Sequence, residues 1–290
     1  MLDVFLQVVL PVAITAGLGG LAARWRRLPA DVPSALVFHA MSTTTVSAND
    51  SLNIVLVMLA SFVAMYGVAM LWSTFRGHDA PMRAAVAVGA TTPNVGNMGL
   101  PVSQLAFGDL GLQIAVMNFV AGAVLVNTAG IAIAAMAGGS RRDALLAPLK
   151  YPALYAALAG IVVNVASFDL PVAIETPTET LGAAAIPTML VVLGIQLGSM
   201  MGRDSVVDLA AVNLARLLIA PAAAWLTVEA LDIEGVTRGT LIVLAAMPTA
   251  VSAIVLATTF KARPGFVTQV VVSSTLASMV TLTLLIDLVR

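Results

Sequence analysis

The chain has 290 residues, 60% of them hydrophobic and only 10% charged, with a formal net charge of -1. A mean hydropathy of +1.00 is more than a soluble domain can keep off its surface, so this is the composition of an integral membrane protein. The absence of cysteine excludes a disulfide framework, a thiol nucleophile and a thiolate metal site, and the sparse, balanced charge offers no footprint for nucleic acid.

Apolar segments of about twenty residues, the length a spanning helix needs, follow one another along the chain. Ten are expected, at approximately 4–23, 31–47, 52–74, 82–108, 112–137, 151–168, 179–201, 206–229, 237–259 and 266–288. The first follows Asp3 and precedes Arg24, Arg26 and Arg27, the reverse of the order in a cleavable signal peptide, and is expected to be a retained span. The second carries His39 and the polar run Ser42 to Thr45, which suit an aqueous path or helix contacts.

The fourth segment is interrupted at its middle by Ala90-Thr91-Thr92-Pro93-Asn94-Val95-Gly96-Asn97-Met98-Gly99-Leu100-Pro101. Pro93 and Pro101 each lack a backbone donor and the glycines between them loosen the chain, which predicts two half-helices joined by unwound backbone. At membrane depth such backbone is tolerated only where protein buries it or water lines it, so the stretch is a candidate binding site. The ninth segment holds a weaker echo, Ala245-Ala246-Met247-Pro248-Thr249-Ala250-Val251-Ser252, in which Pro248 corresponds to Pro93 and Ser252 to Asn97. Interrupted helices at matching positions of two halves point to a substrate site.

Between these segments lie isolated polar residues. Asn118 and Asn127 in the fifth, Asn164 in the sixth and Gln196 in the seventh suit bonds between helices, with Gln196, beside Gly194 and Gly198, expected to face the cavity. Arg216, within the eighth, has the options of drawing an anion, snorkelling to an interface or capping backbone carbonyls. No carboxylate is expected in the middle of a span, Asp287 being near a helix end and the others in loops. That speaks against a sodium/proton exchanger built on embedded acids.

Loops after the odd segments carry the cations, among them Arg76, Arg83, Arg141, Arg142 and Arg203, whereas loops after the even ones carry acids such as Asp50, Asp109 and Asp169. Positive loops stay in the cytoplasm, which puts both termini outside a cell inner membrane. The linker 138–150 divides the chain into halves, 1–137 and 151–290, of five segments each. An odd number per half gives the halves opposite orientation, the inverted-repeat design of many secondary transporters.

The run Pro93-Asn94-Val95-Gly96-Asn97-Met98-Gly99-Leu100-Pro101 closely resembles the signature of the auxin efflux carrier family, which includes plant PIN auxin exporters and many bacterial organic-acid carriers. Met247-Pro248-Thr249-Ala250-Val251-Ser252 is similar to that family's ninth-span motif, Pro187 with Gly194 to Leu197 to its seventh, and Leu10-Pro11 with Gly17 to Gly20 to its first. Ala40-Met41-Ser42 stand where the family usually has a proline, and Ser252 where it often has asparagine. The resemblance implies an all-α fold of ten transmembrane helices, two inverted five-helix repeats whose broken fourth and ninth helices cross at the midplane, as in bile-acid symporters and NhaA-type antiporters. It also implies homodimerisation.

At such a crossing, half-helices turn backbone amides and positive dipole ends into a cavity, which suits a carboxylate. Pro93, Asn94, Gly96, Asn97, Pro248, Thr249, Ser252 and Gln196 are the expected substrate-binding residues, the two asparagines donating amides and Thr249 and Ser252 hydroxyls. For Thr249, a bond to freed backbone is an equal alternative. No Gly-x-Ser-x-Gly, His-Glu-x-x-His or aspartate cluster is present, so neither an enzyme nor a bound cofactor or metal is expected. The expected function is secondary transport of a small organic anion through the bilayer by alternating access. A sodium-coupled symporter of the bile-acid type and a non-transporting receptor or scaffold are the alternatives. The coupling ion, proton or sodium, stays open.

Overall fold

The computed structural model describes residues 33–135, 152–197 and 205–290, together with Phe5 and Leu10. The first expected span and the linker thus lie outside the described residues. Within them the chain is helical, and the one β-type contact is an isolated antiparallel bridge between Pro93 and Thr249.

Helix α1, Pro33–Ser42, is shorter than the expected 31–47 because Ser42 and Thr43 turn their hydroxyls back onto the His39 carbonyl, at 3.0 and 2.9 Å. The extended chain that follows is held by Gln113 Oε1, which accepts the Thr45 N–H at 2.9 Å, and by Asn164 Nδ2, which donates to the Ser42 and Thr44 carbonyls. Helix α2, Ala48–Phe75, starts where Ser47 accepts the Asp50 N–H. Leu52, Leu56, Leu59 and Val63 form an outward apolar face, while Ile54, Val57, Ser61 and Met65 are buried on the opposite face. An outward face this apolar is one suited to lipid rather than water.

Helix α3, Ala80–Thr91, is capped by Asp79, which accepts the Met82 N–H at 2.9 Å. That bond, aided by Arg263, holds the Asp79 carboxyl below its ordinary pKa. The run Ala84 to Thr91 is buried on every side, because alanine, glycine and valine let neighbours close in all round. After a π-helical turn at Val95–Gly99 comes α4, Leu100–Leu125, which breaks at Gly108 (φ 69°), between the expected fourth and fifth spans. A second π turn, Val126–Gly130, leads into α5, Ile131–Ala135.

Helix α6 is Pro152–Val165 and α7 is Val172–Leu197. The latter begins earlier than the expected 179–201, taking in Glu175 and Pro177. Glu175, in the first turn, suits the helix dipole, whereas Pro177 is an internal proline that takes one N–H out of the helical ladder. Helix α8, Val206–Leu214, a third π turn at Ala215–Ile219 and α9, Ala220–Ala230, are continuous. Then come α10, Gly235–Ala245, the broken stretch 246–251, α11, Ser252–Thr259, and α12, Pro264–Val289.

Among the described residues, Asn49–Phe75, Val95–Ala134, Val206–Ala230 and Pro264–Val289 are helical stretches long and apolar enough to cross a membrane, the second of them broken at Gly108. One buried cluster joins α2, α3, α8, α11 and α12 through Met65, Val88, Val212, Ala253, Phe266 and Val270. Another joins α1, α4, α6 and α7 through Val37, Met41, Val116, Ala157 and Ala185. Gly160 lets α6 lie directly on α1, since a Cβ there would stand 2.7 Å from the Phe38 carbonyl oxygen.

Candidate functional site

The interruptions meet. Thr92-Pro93-Asn94 runs antiparallel to Pro248-Thr249-Ala250: the Asn94 N–H donates to the Pro248 carbonyl at 2.7 Å, and the Ala250 N–H to the Thr92 carbonyl at 2.8 Å. Pro93 therefore faces Thr249 rather than its sequence counterpart Pro248. The physical reason is that this central pair exchanges no hydrogen bond across the bridge, so it is where a residue without an N–H fits. Thr249 turns its own N–H to Ser274 Oγ of α12, at 3.1 Å, and its hydroxyl to the Gly89 carbonyl of α3, at 2.7 Å.

Four helix ends converge here. The C-terminal ends of α3 and α10 arrive with their last carbonyls, and the π turn before α4 and the start of α11 leave. Arg216, only 3% exposed, comes from the π turn between α8 and α9 and sets its guanidinium between the two incoming ends. Nη1 donates to the Ala90 carbonyl at 2.8 Å and Nη2 to the Ala245 carbonyl, while Nε is buried without a partner.

Beside the crossing is a cavity of about 580 Å³. Asn94, Asn97, Asn118, Arg216 and Ser252 supply its polar wall, and Phe62, Phe119 and Leu256 part of its apolar one. Asn94 is 3% exposed, and its Nδ2 donor is buried with no partner. The Thr92 hydroxyl, also lining the cavity, is buried and unpartnered too. The π turns at Val95–Gly99, Val126–Gly130 and Ala215–Ile219 all contribute to this one cavity, through Gly96 and Asn97, through Val126 and through Arg216. A π turn inserts a residue into a helix and re-aims its side chains, and such turns gather at functional sites. Gly96 is closely approached: a Cβ would lie 2.9 Å from the edge of the Phe119 ring, which would have to shift.

Of the residues expected from sequence, Pro93, Asn94, Gly96, Asn97 and Ser252 come together on the cavity wall. Pro248 and Thr249 stand behind it, their polar groups engaged with backbone and Ser274. Gln196 is in α7, and its side chain lies outside the described residues, as does that of Asn127. Asn118, read as a bond between helices, reaches the cavity, a position that only the packing of α4 against α2 and α10 reveals. His39 and Thr43 line a second cavity of about 550 Å³ between α1, α4 and α7, with Gln104, Asp109, Gln113 and Glu179.

One sequence expectation is corrected. Asp208, counted among the loop carboxylates, is in the first turn of α8 and 3% exposed. It is tolerable there because Trp72 Nε1 donates to it at 3.0 Å and Arg76 Nε at 3.2 Å, with His78 Nε2 at 3.3 Å.

The profile of a family described as membrane transport protein matches residues 140–286. An uncharacterized transporter of Methanothermobacter thermautotrophicus is 29% identical over 255 residues, 87% of this chain and 83% of the relative. An uncharacterized transporter of Methanocaldococcus jannaschii is 24% identical over 242 residues, 78% of each chain.

Proposed function

The chain belongs to the auxin efflux carrier family of membrane transport proteins, and on that premise we propose that it is a secondary transporter carrying a small organic anion through the cavity at the crossing. The observation that carries this reading is Asn94 Nδ2, a donor buried at the cavity wall with nothing to donate to. A buried donor left unmade costs about 1–3 kcal/mol, a cost that a carboxylate arriving in the cavity removes. Asn97 and Ser252 line the same space, and the apolar wall around Phe62 and Phe119 accommodates the carbon body of the acid.

The architecture we propose is ten transmembrane helices in two inverted repeats, 1–137 and 151–290, with both termini outside the inner membrane. The two buried clusters described above would rock against each other, exposing the crossing alternately to either side.

The test is uptake of labelled acids into proteoliposomes, with malonate, malate, lactate and an indole acid as the panel, for the native chain and for Asn94→Ala/Asn97→Ala. Uptake of one acid that disappears in a folded, inserted double variant supports the carrier and its site. Equal uptake in both removes the site assignment. No uptake of any acid under a sodium or a proton gradient removes the anion reading and favours a receptor or scaffold.

A further inference from the structure

Arg216 is a buried cation with no carboxylate beside it among the described residues, whose ion pairs all lie elsewhere. What it has instead is the ends of two helices. The C-terminal carbonyls of a helix carry about half a negative charge, so α3 and α10 arriving together present about one elementary charge to be matched. Two buried, oppositely derived carbonyl ends at membrane depth form the kind of site at which unwound backbone ordinarily coordinates a coupling cation. Here the fork of one guanidinium spans both, Nη1 on Ala90 and Nη2 on Ala245. A planar fork reaches two carbonyls at once, which a lysine's single ammonium does less well.

We propose that Arg216 is a tethered cation, occupying the position of a dissociable one, so that the crossing is assembled and works without sodium. It is a positioning residue: it holds the ends of α3 and α10 together and thereby keeps Asn94 and Asn97 on the cavity wall. This rests on the carrier reading for its transport consequence but not for its structural one. A carrier built this way has its charge balance at the crossing supplied by the chain, and the anion crosses without a sodium ion bound between the broken helices.

Two sets of measurements test it. The purified protein is melted in sodium and in choline salts of equal ionic strength, as wild type, Arg216→Lys and Arg216→Gln. Lysine keeps the charge, and glutamine keeps a donor without it. Wild type is expected to melt at the same temperature in both salts, Arg216→Lys somewhat lower, and Arg216→Gln lowest, with sodium raising the Tm of Arg216→Gln alone. In proteoliposomes at fixed membrane potential, wild-type uptake should be unchanged by sodium removal. Arg216→Gln should lose at least about tenfold, the scale of one charge-assisted bond, and Arg216→Lys should keep more than about a third.

Sodium that stabilises wild type or speeds its uptake overturns the proposal, and so do Lys and Gln variants that behave alike. If neither variant folds, the wild-type sodium comparison decides. If no acid moves while the melting pattern holds, the carrier reading fails and the tethered cation stands.

Discussion

The two arms of the crossing pair through the same backbone bonds yet do different things with their side chains. The arm 92–99 turns Asn94 and Asn97 to the cavity, and the Asn94 amide donor is left unpartnered. On the arm 246–252, Thr249 spends both its N–H and its hydroxyl on the protein itself, and Ser252 is the one polar side chain that reaches the cavity. A local two-fold in the backbone therefore does not make a two-fold site. One arm leaves a side-chain donor unpartnered at the cavity, and the other bonds to the protein.

The sharpest break of this contrast is Asn94→Ala/Asn97→Ala, expected to lower uptake roughly 100-fold, as two charge-assisted bonds of about 1.5 kcal/mol each would. Asn94→Ala alone should leave Tm within about 2 °C, since its Nδ2 has no partner to lose; a large drop in Tm would make Asn94 a structural residue. Next is Gly96→Ala, whose methyl would meet the Phe119 ring at 2.9 Å and push it toward the cavity. A fall of about tenfold in kcat/KM with a folded protein is expected, and unchanged transport would mean that the ring yields elsewhere.

Thr249→Val should show the opposite signature. Losing the bond to Gly89 costs about 1–2 kcal/mol, seen as a Tm lower by a few degrees, while uptake per folded molecule stays within about twofold. Loss of uptake with Tm unchanged would put recognition on both arms. Ser252→Ala, on an exposed cavity residue, should alter uptake less than about twofold. Smallest is Arg263→Ala, outside both arms, where the exposed pair with Asp79 is screened by solvent and Tm should move by less than about 1 °C at neutral pH. Because the Asp79 pKa is lowered on folding, its contribution is present above the ordinary carboxylate pKa and is lost as pH falls through the folded value, which a melting series in acid would follow.

Much of the candidate site was legible because its residues break local rules. Pro93 and Pro248 lack the N–H that an unbroken helix would use, and the helices do stop just before them, at Thr91 and Ala245. Asn94 and Asn97 stood out as amides inside an apolar segment, and both line the cavity. Asp208 was less legible: at the third position of its helix it reads as a solvated end, and only Trp72, Arg76 and His78 closing over it make it a buried charge. Arg216 was visible as an anomaly, with capping of carbonyls among its options, but nothing nearby in the chain says which carbonyls.

By itself, then, the amino-acid sequence determined the solvent of this protein, the places where its helices break and the resemblance to its family, because hydropathy, a missing N–H and a missing Cβ act locally. Tertiary structure alone decided that Pro93 faces Thr249, that Thr249 bonds to Gly89 across 160 residues, and that Arg216 reaches Ala90 across 126. Those choices depend on which orphaned carbonyl packing brings within about 3 Å of which donor. Buried polar groups must be matched by whatever partner arrives, and the order of residues along the chain does not name it.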